Sequence, residues 1–267
     1  MAIAFRPDVI LRLAMHKTTA IMVAIGRRAY FARDIARGLR EPTTWVPETI
    51  RQMRVIGVES LPLSIIVAAF LGGVTAFQTR YQLFPGVQVS VVGLIARQSI
   101  VLELGPLLIA LVLTGRIGAR MTAEIGAMRV TEQIDALETL SFDPVAYLAL
   151  PRVIATLVML PALTMLANAA AIVSAWATLV LATDVRTDDF LSGLRLAFTQ
   201  FQVIYSLIKA VSFGGAIAFV CSYEGYRTES GAEGVGRATA LAVVIASVSI
   251  LVLDAIVAAI FAPFIQA

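Results

Sequence analysis

Four ionisable residues interrupt stretches that are otherwise apolar: Arg97, Glu103, Lys209 and Asp254. A charge near the centre of a bilayer costs at least about 2.5–3.5 kcal/mol. Such groups therefore face a cavity or pair with one another. Two uses fit these four. Lys209 and Asp254 can neutralise each other between neighbouring helices, which is a structural role. Glu103, with Arg97 beside it, can line a cavity that holds a lipid headgroup, with Leu104 and Pro106 on its apolar side. Proton transfer through Glu103, Lys209 and Asp254 is a third use and would make the chain a proton-coupled carrier. Such carriers are often built from internal repeats, and no repeat is visible.

Other chemistries lack their residues. Cys221 is the single cysteine and His16 the single histidine. That excludes an internal disulfide and a cysteine metal site, and leaves no set for a histidine zinc site or a histidine triad. No nucleophile–base set suggests an intramembrane hydrolase. The glycine-rich stretch 225–236 follows no strand and lacks the spacing of a phosphate-binding loop. With no Walker motif, the chain has no ATPase site of its own.

The second chemistry-bearing stretch is "RMTAEIGAMRVTEQIDALETL", residues 120–140. Ile117, Met121, Ile125 and Met128 recur at helical spacing. Ile134, Leu137 and Leu140 begin a second apolar register, with Glu132, Asp135 and Glu138 on an acidic face. Thr131 is placed as an N-cap, with acidic residues in the first turn. The pattern predicts a pair of amphipathic helices. Periodicity alone favours a surface helix that seals the bundle over a docking element for a soluble partner.

These residues must be held by membrane-spanning helices. The chain of 267 residues is 59% hydrophobic and 15% charged, with a mean hydropathy of +0.86. A soluble domain is about 45–50% apolar and about 25% charged. The composition predicts an all-α polytopic membrane protein. Ten of the 21 Lys and Arg residues precede position 55. In a soluble protein that would suggest nucleic acid, but here it marks the cytoplasmic side. The run 18–25 is too short for a cleaved signal and lacks its cleavage site.

Residues 1–47 read as an N-terminal interfacial region. Phe31, Ile35 and Leu39 fall on one face, Arg33, Arg37 and Arg40 on the other, with Pro42 and Pro47 ending the helix. Residues 48–267 form the transmembrane region. Its five spans are placed at about 55–78, 89–113, 147–182, 198–222 and 238–265, with 147–182 as one long helix. Asp143-Pro144 reads as its start, Asp as N-cap and Pro at the first helical position. Residues 80–86 and 183–189 read as external loops and 223–237 as a polar internal loop. Basic residues place the N-terminus inside and the C-terminus outside. Counted along the helices, Glu103 lies about 20 Å from Arg116, Lys209 about 18 Å up and Asp254 about 24 Å up, all at similar depth.

The run "ELGPLLIALVLTGRIGARMTAEIGAMRVTEQIDALETLSFDP" (103–144) resembles the signature of the MlaE/YrbE family. These are permease subunits of Mce-type ABC lipid transporters. Pro151-Arg152, "LIKAVSFG" (207–214), Gly225-Tyr226, Gly236-Arg237-Ala238-Thr239 and Leu253-Asp254 extend the resemblance over about 50–260. It implies a non-hydrolytic subunit of the inner membrane, paired with itself or a paralogous permease. It also implies a partner ATPase that binds the ATP and Mg, a ring of Mce-domain proteins and, in some systems, a STAS-domain subunit. No cofactor is expected on this chain. The implied cargo is phospholipid, moved between inner membrane and outer envelope. Another hydrophobic cargo, such as a sterol, is the alternative. The resemblance places a coupling helix at about 123–140, with Glu124, Thr131, Glu132, Asp135 and Leu137 at the ATPase. One departure stands out: family members carry an arginine before the Glu of E-L-G-P, where this chain has Leu102.

Overall fold

The computed structural model describes residues 7–40, 42–84, 86–229 and 231–265. Residues 1–6 and 266–267 of the two expected regions lie outside them. Among the described residues every regular element is helical. Helix α1 is Pro7–Gly38, α2 Pro42–Ile56, α3 Leu61–Gln82, α4 Val91–Gln98, α5 Gly105–Leu113 and α6 Ala119–Val130. Then follow α7 Gln133–Thr139, α8 Leu150–Ala182, α9 Thr187–Arg195, α10 Gln200–Tyr226 and α11 Ala232–Ile265.

Among the described residues five stretches are long and apolar enough to cross a membrane: Trp45–Gln82, Val91–Val130, Val145–Ala182, Gln200–Tyr226 and Ala232–Phe261. The chain is thus an all-α polytopic membrane protein. Its two ends are called here the near face, which carries α1 and α7, and the far face, which carries α9. Val145–Ala182 is one long helix, not a hairpin. Asp143 caps it as expected, its Oδ1 accepting from the N–H groups of Val145 (2.9 Å) and Ala146 (3.2 Å).

Several boundaries differ from the sequence reading. Pro47 does not end a helix but lies inside α2. The carbonyl it leaves without a donor, four residues back, belongs to exposed Thr43. The second span runs as one helical stretch from Val91 to Val130, interrupted only by widened turns, so residues 123–130 are the end of a spanning helix and only α7 is separate. Residues 187–195 form a helix, anchored by the fully buried Phe190. The internal loop shrinks to 227–231, because α10 and α11 extend into it.

Packing follows from small residues. Along the α3–α8 contact, a Cβ on Gly72 would lie 1.9 Å from the Ala171 carbonyl oxygen, so only glycine permits this approach. One turn away, Ser174 donates to the Ala69 carbonyl at 2.6 Å. On the near face, α1 inserts Phe31 among the rings of Phe219, Tyr223 and Tyr226. Ile35 packs against the same cluster, whereas Leu39 is exposed. Arg33 and Arg37 face outward.

Candidate functional site

The intramembrane charges are positioned by a break in the second span. Pro106 has no N–H to return to the preceding turn, and that turn widens to i→i+5 bonding over Ser99–Leu104. Gly105 N–H reaches the Ile100 carbonyl. A Cβ on Gly105 would lie 1.9 Å from Asn168 Oδ1, so glycine lets α8 press against the break. Asn168 is held there by donating to Ser206 Oγ at 3.1 Å. Glu103 sits in the widened turn with its side chain 48% exposed.

Lys209, on α10, is fully buried and reaches two carboxylates. Its Nζ donates to Glu103 Oε2 at 2.6 Å and lies 2.8 Å from Asp254 Oδ1 on α11. The second contact is an ion pair without the alignment of a hydrogen bond. Tyr205, one turn back on α10, sets its ring 4.9 Å from the same ammonium. The cluster therefore joins the second, fourth and fifth spans with one cation and two acids. Glu103 alone of the three is substantially open.

Arg97 is not part of this cluster. It is buried, donates to the Gln202 side chain, and reaches the carbonyls of Leu196 (2.9 Å) and Ala197 (3.4 Å). Ala197 adopts φ +50°, and Arg97 clasps the turn that contains it. Pro106 is buried and Leu104 half-buried. Of the four residues expected at the pocket, the structure leaves Glu103 exposed and assigns Pro106 to the backbone break.

The second group lies on the near face. Glu124 accepts from Arg120 Nε at 2.8 Å and from Arg152 Nη2 at 3.2 Å. Arg120 also donates to Glu59 at 2.9 Å. Arg152, almost fully buried, anchors this network by donating to the Leu148 carbonyl at 2.7 Å. The network ties together the near-face parts of the first, second and third spans. A narrow cleft beside it is lined by Gln52, Ser60, Arg116 and Arg120.

Beyond the network the chain turns sharply. Glu132 adopts φ +58° and separates α6 from α7. Thr131 is not the N-cap of α7: its hydroxyl turns back to the Ala127 carbonyl at 2.8 Å. Fully buried Ile134 and half-buried Leu137 fix α7 to the bundle. Thr131, Glu132 and Asp135 are exposed, and Asp135 pairs with Arg129 at 2.6 Å. The sequence reading put Leu140 in one apolar register with Ile134 and Leu137 and did not single out Phe142, yet Leu140 is 68% exposed and Phe142 49%. Leu140 shares the spacing of Ile134 and Leu137, but α7 ends at Thr139 and Ser141 takes φ +63°. The surface is thus acidic with an apolar pair at its rim.

Among the described residues no group of three His, Cys, Asp or Glu side chains is placed to hold a metal ion.

Comparison with known proteins adds three findings. The profile of the family described as Permease MlaE matches residues 49–260. A probable ABC transporter permease protein of Rickettsia felis is 34% identical over 245 residues, covering 92% of this chain and 95% of that one. The intermembrane phospholipid transport system permease protein MlaE of Haemophilus influenzae is 32% identical over 241 residues, covering 89% and 91%.

Proposed function

We propose, from the premise that this chain belongs to the MlaE permease family, that it is the membrane-spanning subunit of an ATP-driven phospholipid transporter. The relative in Haemophilus influenzae bears the name of an intermembrane phospholipid transport permease, which supports that cargo. On this reading the near face is cytoplasmic and the protein lies in the inner membrane as a dimer with itself or a paralogue. A soluble ATPase docks on α7, an Mce-domain ring stands at the far face, and a STAS-domain subunit belongs to the assembly in some systems.

The observation that carries the reading is the surface around α7. An exposed Leu140 and Phe142 beside Thr131, Glu132 and Asp135 form an apolar anchor with an acidic surround. Such a patch suits a cationic groove on a soluble partner. The patch continues directly into the second span, which carries Glu103. Glu124 serves the reading indirectly. It is half-buried and bound to Arg120 and Arg152, so it holds α6 in place rather than facing the ATPase.

Work delivered at α7 moves along the second span. That helix is widened again at Thr114–Gly118, and such segments are places where a helix can adjust its register. Displacement reaches the turn that holds Glu103. The polar headgroup meets Glu103, and the acyl chains lie against the apolar faces beside it.

The test is co-purification from detergent of the tagged chain. An ATPase and an Mce-domain protein are the expected companions, and folded protein that brings neither overturns the reading. Glu132→Lys with Asp135→Lys should release the ATPase and leave membrane insertion unchanged. Lipid eluted from the complex and identified by mass spectrometry separates phospholipid from sterol cargo. Transport that survives loss of ATP but collapses with the proton gradient would point instead to proton coupling at Lys209.

A further inference from the structure

Away from the Glu103 cluster, α3 and α8 enclose two adjoining recesses on the outer flank of the bundle. The first is an apolar groove of about 520 Å³, lined by Phe70, Gly73, Val74, Phe77, Ser174 and Thr178. It lies in the far half of two spanning helices, where the surrounding medium is hydrocarbon. From Ala69 to Gln78 the groove runs about 13 Å along α3. The second recess, of about 360 Å³, is polar and sits at the far-face end of the same two helices. Arg80, Tyr81, Thr183 and Asp184 are among its walls.

The two recesses join end to end. Phe77 lines the groove and Tyr81 the polar recess, and their rings lie 4.7 Å apart. On the opposite wall Thr178 and Ala182 are one turn apart and belong to the groove and the recess respectively. In the recess Arg80 donates through Nε and Nη2 to Asp184 at 2.8–3.1 Å. Asp184 keeps 72% of its side chain exposed, and no acceptor among the described residues takes Arg80 Nη1.

We propose that this flank binds one zwitterionic glycerophospholipid of the far leaflet, with an acyl chain in the α3–α8 groove and its headgroup over the Arg80–Asp184 pair. A zwitterionic headgroup carries an anionic phosphate and a cationic amine. Arg80 and Asp184, side by side at the mouth, complement both charges. An anionic headgroup would meet Asp184 with its own sign, and a purely cationic ligand would meet Arg80. Burial of each methylene in such a groove contributes only where the fit excludes other chains. The small residues Ala69, Gly73 and Ser174, walled by Phe70 and Phe77, provide that fit. The site is separate from Glu103 and requires only that the chain lie in a bilayer.

The test uses the full chain in nanodiscs that contain trace phosphatidylethanolamine with a diazirine on its acyl chain. Adducts mapped by mass spectrometry should concentrate on 69–78 and 174–178. The expected enrichment over the equally open face of α11 at Val244, Val248 and Val252 is about tenfold, equal to about 1.4 kcal/mol of preference. Thr178→Phe, which fills the groove, should abolish the enrichment. If that variant does not fold, Phe70→Ala at an exposed wall should lower it. Asp184→Asn should remove the preference for phosphatidylethanolamine over phosphatidylglycerol and keep the acyl adducts in the groove. Equal labelling of α3–α8 and α11 overturns the proposal, as does enrichment unchanged by Thr178→Phe in folded protein. A photo-reactive residue at position 74 that captures polypeptide instead of lipid in native membranes overturns it too. No ATPase takes part, so failure here is distinguishable from failure of the transport reading.

Discussion

The two ionic clusters use the same side-chain chemistry and differ in almost everything else. The Lys209 cluster has one cation and two acids, lies within the spanning helices, and joins the second, fourth and fifth spans. The near-face network has two cations and two acids, lies at helix ends, and joins the first, second and third spans. The inner cluster hangs on one irreplaceable ammonium. The outer one is a chain of partners, several half-exposed to solvent. The second span is common to both, and it is the span that continues to α7. A force applied at α7 therefore meets charge-based ties to every other span.

The largest expected effect comes from removing the ammonium. Lys209→Met leaves the carboxylates of Glu103 and Asp254 close together with no cation. Breaking one side of a buried pair costs about 3–5 kcal/mol. A matching loss should appear in unfolding of the detergent-solubilised protein. Lys209→Met with Asp254→Leu should recover much of it, because the one carboxylate left without a cation is then Glu103, whose side chain is 48% exposed. A single variant as stable as the parent would break the distinction between the clusters.

Glu103→Gln sharpens it. Lys209 keeps Asp254 at 2.8 Å, and the altered side chain is half-exposed. The stability change should stay near about 1 kcal/mol, the usual size for one hydrogen-bonded partner. Lipid transport in reconstituted vesicles should fall far more than stability. Equal losses in both measurements would make Glu103 a structural partner and nothing else.

Much of the framework can be read before any coordinates. Five apolar runs of spanning length leave no other architecture, and Asp143-Pro144 is a local signal that the backbone bonds to Asp143 repeat in space. Counting residues from helix ends also put Glu103, Lys209 and Asp254 at one depth, and they meet. What failed depended on partners distant in sequence. Arg97 is buried against carbonyls 99 and 100 residues away, and nothing beside it announces them. Helix α9 is nine residues long with Asp188 and Asp189 in its first turn, so its polarity conceals the buried Phe190. Leu140 keeps the helical spacing of Ile134 and Leu137 but falls past the end of the helix, where spacing no longer predicts direction.

The near-face network should respond differently at its two ends, and the smallest stability effect of all belongs to its exposed end. Arg152→Met removes a guanidinium that is 5% exposed and bonded to both Glu124 and Leu148. Leaving those acceptors partly unmet costs about 1–3 kcal/mol. Glu59→Gln removes a half-exposed partner of Arg120, and Arg120 retains Glu124 at 2.8 Å. Exposed pairs contribute about 0–1 kcal/mol, so unfolding should barely change. Its consequence should lie in transmission instead. Glu59 stands just ahead of α3, and its bond to Arg120 is the charge tie between the first span and the helix that leads to α7. With that tie loosened, the ATPase should still dock on α7 and still hydrolyse ATP, while lipid moved per ATP declines. Unchanged transport per ATP in Glu59→Gln would reduce the outer network to packing at helix ends and leave the Lys209 cluster, of the two compared, as the candidate for a part in transport.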